Sequence, residues 1–214
     1  MKRILSFCFL AAGFVCCTAN KKTASDGWIS LFDGQSLNGW KVGANAGSFR
    51  VDSGMIIVNG DVAHLFYDGA VQNHNFKNFE FSADVMTTPG SNSGLYFHTV
   101  YQENSWPRKG YEVQVNNSHT DWRRTGSLYG VSDVKEVYVK DNEWYTEYIK
   151  VQGKSILVKI NDRTVVDYTE PENVVSLRGN DTGRVLSGGT FALQGHDPKS
   201  KVYFKNIRVK ALAD

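Results

Sequence analysis

The chain of 214 residues is close to charge balance, with 24 Lys and Arg against 22 Asp and Glu, and is 41% hydrophobic and 13% aromatic. No basic block or stripe is present, so the electrostatic footprint of a nucleic-acid binder is missing and nucleic acid is excluded as an expected partner. All three cysteines (Cys8, Cys16 and Cys17) fall at the start, which excludes disulfides and thiolate metal sites from the rest.

Lys2 and Arg3 open the chain, and residues 4–15 form an apolar stretch broken only by Ser6, Cys8 and Gly13. The stretch is too short to span a bilayer and polar residues follow it, so residues 1–17 read as an export signal. A thiol at the end of such a stretch suggests lipoprotein processing, and Cys17 is the expected lipidation site. The expected location is the periplasm or the outer membrane, with the lipid as the only membrane contact. Removing residues 1–17 deletes two basic residues and no acid, which leaves 22 of each sign. Residues 18–26 read as a polar tether, and residues 27–214 as one domain.

Beyond the tether no stretch keeps a helical period for three turns. Short alternating or β-rich runs recur instead, at residues 48–51, 55–58, 79–86, 94–100, 111–115, 147–151, 155–160, 164–168, 190–194 and 202–211. Gly, Asn, Asp and Ser separate them, as in Asp52-Ser53-Gly54 and Asn161-Asp162, because these residues tolerate tight turns. About ten strands at this spacing predict an all-β sandwich or jelly roll.

Alternation also assigns faces. Leu95, Phe97 and Thr99 should oppose Tyr96 and His98, and Tyr111, Val113 and Val115 should oppose Glu112 and Gln114. The polar sides then carry carboxylate, imidazole, amide and phenol groups, the inventory that grips sugar hydroxyls. A plain solvated sheet face is the competing explanation, but Lys and Thr usually dominate such faces.

Several short motifs occur in order along the chain. They are Trp28-Ile29-Ser30-Leu31-Phe32-Asp33-Gly34 with Leu37-Asn38-Gly39-Trp40, Asn92-Ser93-Gly94-Leu95-Tyr96-Phe97-His98, Gly110-Tyr111-Glu112-Val113-Gln114, Thr125-Gly126-Ser127-Leu128-Tyr129, Ala192-Leu193-Gln194-Gly195-His196-Asp197 and Phe204-Lys205-Asn206-Ile207. As a set they resemble the 3-keto-disaccharide hydrolase domain family. The resemblance implies a concanavalin A-like jelly-roll β-sandwich. It also implies a substrate glycoside whose sugar is a ketone at C3. Such a ketone acidifies the C2 proton, so a base can remove it and the C1 substituent leaves by β-elimination. The site needs a base, a group that stabilises the enolate oxygen, and an acid for the leaving group. Many relatives carry Arg where His98 stands, and Asn116-Asn117 replaces a position where Asp is common.

Glu112 is the first candidate for the catalytic carboxylate, with His98 and His196 as proton-transfer groups. The same three residues make a candidate oxygen–nitrogen site for a divalent metal ion; no cofactor is otherwise indicated. Asn92, Gln114 and Gln194 are candidate hydroxyl-binding groups. Tyr96 and Tyr129, with Trp106 and Trp122, are candidate sugar platforms, although core packing accounts equally well for any one of them. No phosphate-loop or nucleophile-elbow motif is present, so the resemblance implies that a separate oxidoreductase makes the ketone. Two other readings stand beside this one. A non-catalytic carbohydrate-binding lipoprotein would bind sugars without turning them over. A conventional β-glucanase would need two acids on one strand, of which Glu80 and Asp84 are a loose echo.

Overall fold

The computed structural model describes residues 26–174 and 183–213; the expected signal at 1–17, its Cys17 and residues 18–25 of the tether lie outside the described residues. In chain order the strands are β1 (Ile29–Ser30), β2 (Trp40–Val42), β3 (Phe49–Asp52), β4 (Met55–Val58), β5 (Ala63–Tyr67), β6 (Phe79–Thr87) and β7 (Ser93–Thr99). There follow β8 (Tyr111–Val115), β9 (Tyr145–Gln152), β10 (Ser155–Ile160), β11 (Arg163–Thr169), β12 (Thr190–Gly195) and β13 (Val202–Ala211). Each of the ten runs read from the sequence falls on one of these, with ends shifted by a residue or two. Alternation in the sequence does not mark the short β1 and β2, nor the whole of β5, which has apolar residues on both faces.

The strands form an all-β jelly-roll sandwich of two antiparallel sheets. One has the order β11-β10-β9-β6-β13-β4-β3, with β1 also paired to β13; the other is β2-β5-β12-β7-β8. Phe79, Phe81, Ile149 and Phe204 from the first sheet meet Leu65, Leu95, Phe97, Val113 and Leu193 from the second, all at 0% exposure. At about 25 cal/mol for each Å² of apolar surface removed from water, this layer is the main source of stability.

The two sheets differ in what lies outside them. Burial alternates along β9 of the eight-stranded sheet, the pattern of a face open to water. In the five-stranded sheet β5, β7, β8 and β12 are buried at every position. Its outer face carries a second small cluster of Phe66, Tyr96 and Ala192, separate from the main core. Polar residues there are therefore covered rather than solvated.

One irregularity redirects a predicted site residue. Thr190 pairs with Thr99, but Ala192 pairs with Tyr96, so β7 holds one extra residue in this interval. The surplus is taken up by a bulge in which His98 adopts φ 55°. Alternation placed His98 beside Tyr96 on the polar face. The bulge instead turns its ring between Phe79 and Phe97, at centroid distances of 5.7 and 5.5 Å.

Candidate active site

A cleft of about 600 Å³ opens on the outer face of the five-stranded sheet. Cross-strand register builds its floor. Glu112 on β8 lies opposite Tyr96 on β7, and Tyr96 lies opposite Ala192 on β12. One row along, Gln114 lies opposite Gly94, and Gln194 lies opposite His64. Because side chains alternate, all these residues except glycine project to the same side. Beyond β8, residues 125–129 run along the strand edge: Gln114 N donates to Ser127 O and Tyr129 N donates to Glu112 O, each at 2.9 Å. That pairing carries Tyr129 into the cleft wall.

Glu112 is 5% exposed and anchors the floor. Tyr96 Oη donates to its Oε2 at 2.8 Å, and Gln194 Nε2 donates to its Oε1 at 2.9 Å. Gln194 Nε2 also donates to Tyr96 Oη at 3.0 Å. Burial, then the negative charge and hydrogen bond of Glu112, push the Tyr96 phenol well above its ordinary pKa, so it stays a donor. Arg184 opposes that shift and therefore extends positive charge toward the phenol. Gln114 Nε2 donates to Asn92 Oδ1 at 2.8 Å. Among the described residues, the Oε1 atoms of Gln114 and Gln194 are buried with no hydrogen-bond partner. Such orphans call for an explanation, and a ligand bearing hydroxyl donors supplies one.

His196 stands at the rim. Its Nδ1 donates to Asp197 Oδ2 at 2.8 Å, which leaves Nε2 to exchange protons. Burial would raise the Asp197 carboxyl, but hydrogen bonds from Ser200 Oγ, His196 and Lys199 N, with the charge of His196, hold it down to about 2. Trp106 stands over this corner, with ring centroids 5.4 Å from His196 and 5.5 Å from His64. Burial, then His196, lower His64 to about 4, so that ring is neutral.

Of the residues singled out in the sequence, Asn92, Tyr96, Glu112, Gln114, Tyr129, Gln194 and His196 all line this cleft, and Trp106 does too. His98 does not. It borders a different pocket, where Nε2 bonds Lys77 O at 2.9 Å and Nδ1 accepts from Ser187 N at 3.3 Å. Burial lowers it to about 4, with the bond to Lys77 O opposing, so it sits there as a neutral structural group. The grouping of His98, Glu112 and His196 around one metal ion is corrected accordingly. The donors that do converge among the described residues are His119, His196 and Asp197, with ligand atoms within 4.8 Å of one another. His119 Nδ1 accepts from Asp121 N at 3.1 Å, and its ring meets that of His196 edge-on at a centroid distance of 5.4 Å.

Sequence reading missed Arg184, Arg108 and Asp121 in the cleft wall. These residues sit in irregular loops, where no period marks them. Arg124 donates to Asn116 Oδ1, His119 O and Asp121 O, and so folds the loop that presents His119 and Asp121. Glu80 and Asp84 lie on β6 in the other sheet, paired with Lys210 and with Thr146 and Asn206.

The fold and the cleft define a class: a jelly-roll sandwich whose covered sheet face offers a carboxylate, amides and aromatic rings to a polyhydroxylated ligand. The chain belongs to the family of 3-keto-alpha-glucoside-1,2-lyase-like domains, whose model matches residues 27–210. It is 26% identical over 233 residues to the 3-keto-disaccharide hydrolase of Bacteroides thetaiotaomicron, a match that covers 88% of this chain and 79% of that protein. The crystal structure of a candidate glycosyl hydrolase from Parabacteroides distasonis superposes with a TM-score of 0.71 at 22% identity, covering 88% of this chain and 95% of that one. A carbohydrate binding module from Bacillus subtilis shares the fold at a TM-score of 0.57 and 15% identity, covering 81% and 96%.

Proposed function

We propose that this chain is an exported, lipid-anchored enzyme that cleaves 3-keto-glycosides. The observation that carries the reading is the buried Glu112 carboxylate on the cleft floor, held by Tyr96 and Gln194 and facing a rim that holds the His196–Asp197 pair. Family membership and the name of the Bacteroides relative support the substrate class.

The reaction runs as follows. Glu112 takes the C2 proton, and the electron pair moves toward the C3 carbonyl oxygen. The positive charge of Arg184 near Tyr96 favours the enediolate that forms. The C1–oxygen bond breaks as the double bond shifts to C1–C2, and His196 Nε2 protonates the departing oxygen. Water then adds across the enone: its hydroxyl goes to C1 while His196 Nε2 takes up its other proton, and Glu112 returns its proton to C2, which completes a net hydrolysis and restores both groups. Asn92, Gln114 and Gln194 hold the sugar hydroxyls, while Trp106 and Tyr129 wall the cleft. The ketone itself comes from a separate oxidoreductase.

The test is incubation with a matched pair, a 3-keto-glucoside and its unoxidised parent, scored for aglycone release. Release from the first alone is expected. Glu112→Gln should lower that rate by about 10²–10⁴-fold, the usual cost of losing a general base. Equal turnover of both sugars would point to a conventional glycosidase, and binding without turnover to a carbohydrate-binding protein.

A further inference from the structure

A second pocket, of about 280 Å³, opens on the same sheet face one register row beyond the cleft. It has no part in the chemistry above. Thr99 and its cross-strand partner Thr190 lie at its base, and Tyr101 forms one wall. Thr99 is 1% exposed, lines the pocket, and its Oγ1 has no hydrogen-bond partner among the described residues. An unsatisfied buried hydroxyl costs free energy and is uncommon in native proteins, so its persistence requires a reason. The Tyr101 ring packs edge-on against Phe66 at 5.4 Å, has Lys41 Nζ 3.8 Å from its centroid, and remains 39% exposed. At the rim, Asp68 Oδ1 and His74 Nε2 are 3.8 Å apart, with both side chains about half exposed.

Backbone strain gathers around this pocket. Gln72, Asn73 and His74 adopt φ of 51°, 50° and 47° in succession, and His98, whose bulge brings Thr99 to this face, has φ 55°. None is glycine, and each such residue carries a conformational cost that surrounding structure must offset.

We infer that this pocket is a second, non-catalytic binding site for a single pyranose unit of a neutral sugar. The chemistry fits that class. Tyr101 offers an aromatic face to the apolar side of the ring. Asp68, Asn73 and Lys41 offer acceptors and donors of both signs, and Thr99 supplies the unused hydroxyl. Of the two lysines in the lining, Lys109 Nζ donates to Gly188 O at 2.8 Å and Lys41 Nζ lies over the Tyr101 ring, so with Asp68 also present the lining favours a neutral ligand over a purely anionic one. The inference rests on the reading of the chain as a carbohydrate-handling protein, but it does not need the cleft to be catalytic.

The experiment combines calorimetric titration of the purified chain with maltose and cellobiose and crystals soaked in the same sugars. Sugar density over Tyr101, within hydrogen-bonding distance of Thr99 Oγ1, is expected. Thr99→Val should weaken binding at this site about five- to tenfold without lowering Tm, because it removes an unsatisfied hydroxyl at nearly constant shape. Tyr101→Ala should weaken it further. Gln194→Ala, in the cleft, should leave it unchanged, and Thr99→Val should leave turnover of a 3-keto-glucoside unchanged. Sugar found only in the cleft, or affinity indifferent to Thr99→Val and Tyr101→Ala, would overturn the second site and leave the proposed enzyme intact. Sugar at Thr99 in a chain that turns over no 3-keto-glucoside would keep this site and remove the enzymatic reading.

Discussion

Gly94 shows how a single residue sets the geometry of the candidate base. A Cβ added there would lie 2.4 Å from Glu112 Oε1 and 3.0 Å from its Cγ, so only glycine lets the carboxylate rest where Tyr96 and Gln194 hold it. Gly94→Ala should therefore displace the flexible end of Glu112 rather than unfold the strand. The expected result is a fall of about 10²-fold in kcat/KM, the scale of loss from misplacing a reacting group by about an ångström, with little change in Tm. Undiminished turnover would show that the chemistry does not depend on Glu112 at this position. The motif around Gly94 was legible in the sequence, and of the ten residues named there as candidates eight line the cleft, His98 and Trp122 being the exceptions; most of the eight sit on a regular strand or in a motif beside one. His98 was misplaced because alternation is only as good as the strand's regularity, and one surplus residue reverses it.

Among the elements, β9 carries a conflict that its sequence alone displays. Tyr145, Glu147, Ile149 and Val151 share one face by alternation, and the structure buries that face in the core. Glu147 is 0% exposed, and both its oxygens lack a hydrogen-bond partner among the described residues. Burial pushes the Glu147 carboxyl well above its ordinary range, so it is held neutral. A carboxyl raised in the folded state favours folding only at low pH. As pH rises past the unfolded value of about 4.3, the unfolded chain gives up a proton that the folded chain keeps, and stability falls. Glu147→Met should therefore stabilise the protein at pH 7 by about 1–3 kcal/mol, a rise of several degrees in Tm. The gain should shrink toward pH 4. Thermal melts at the two pH values measure it, and a gain independent of pH would show that Glu147 is not the source.

At the scale of the whole molecule, two buried histidines make the sandwich sensitive to acid. His64 and His98 both titrate at about 4 in the folded chain, lowered from 6.5 chiefly by burial. Between those values the unfolded chain binds protons that the folded chain refuses, so stability falls as pH drops from about 6.5 to 4 and levels off below. Each contributes up to about 3 kcal/mol to the fall. Urea melts across that range should show it, and His98→Asn should flatten part of the slope. Asp197, held near 2, acts in a lower window, its contribution lost only as pH falls from 3.8 through about 2. Anchoring belongs to the same scale. Cys17→Ser should move the protein from the membrane fraction to the soluble one, and mass spectrometry finding an unmodified N-terminus downstream of Cys17 in the host would refute the lipid anchor.

Period-two alternation and turn residues are local properties of the chain, so the all-β class, ten of the strands and the polar face that becomes the cleft are written in the residues themselves. Tertiary structure alone decided that this face is covered rather than solvated, that Arg184 and Asp121 reach it from loops, and that Asp197 orients His196. It also decided that His98 turns into the core while Thr99 is left at the base of a second pocket. These outcomes follow from strand register and from one surplus residue in β7, both set by pairing between segments far apart in the chain.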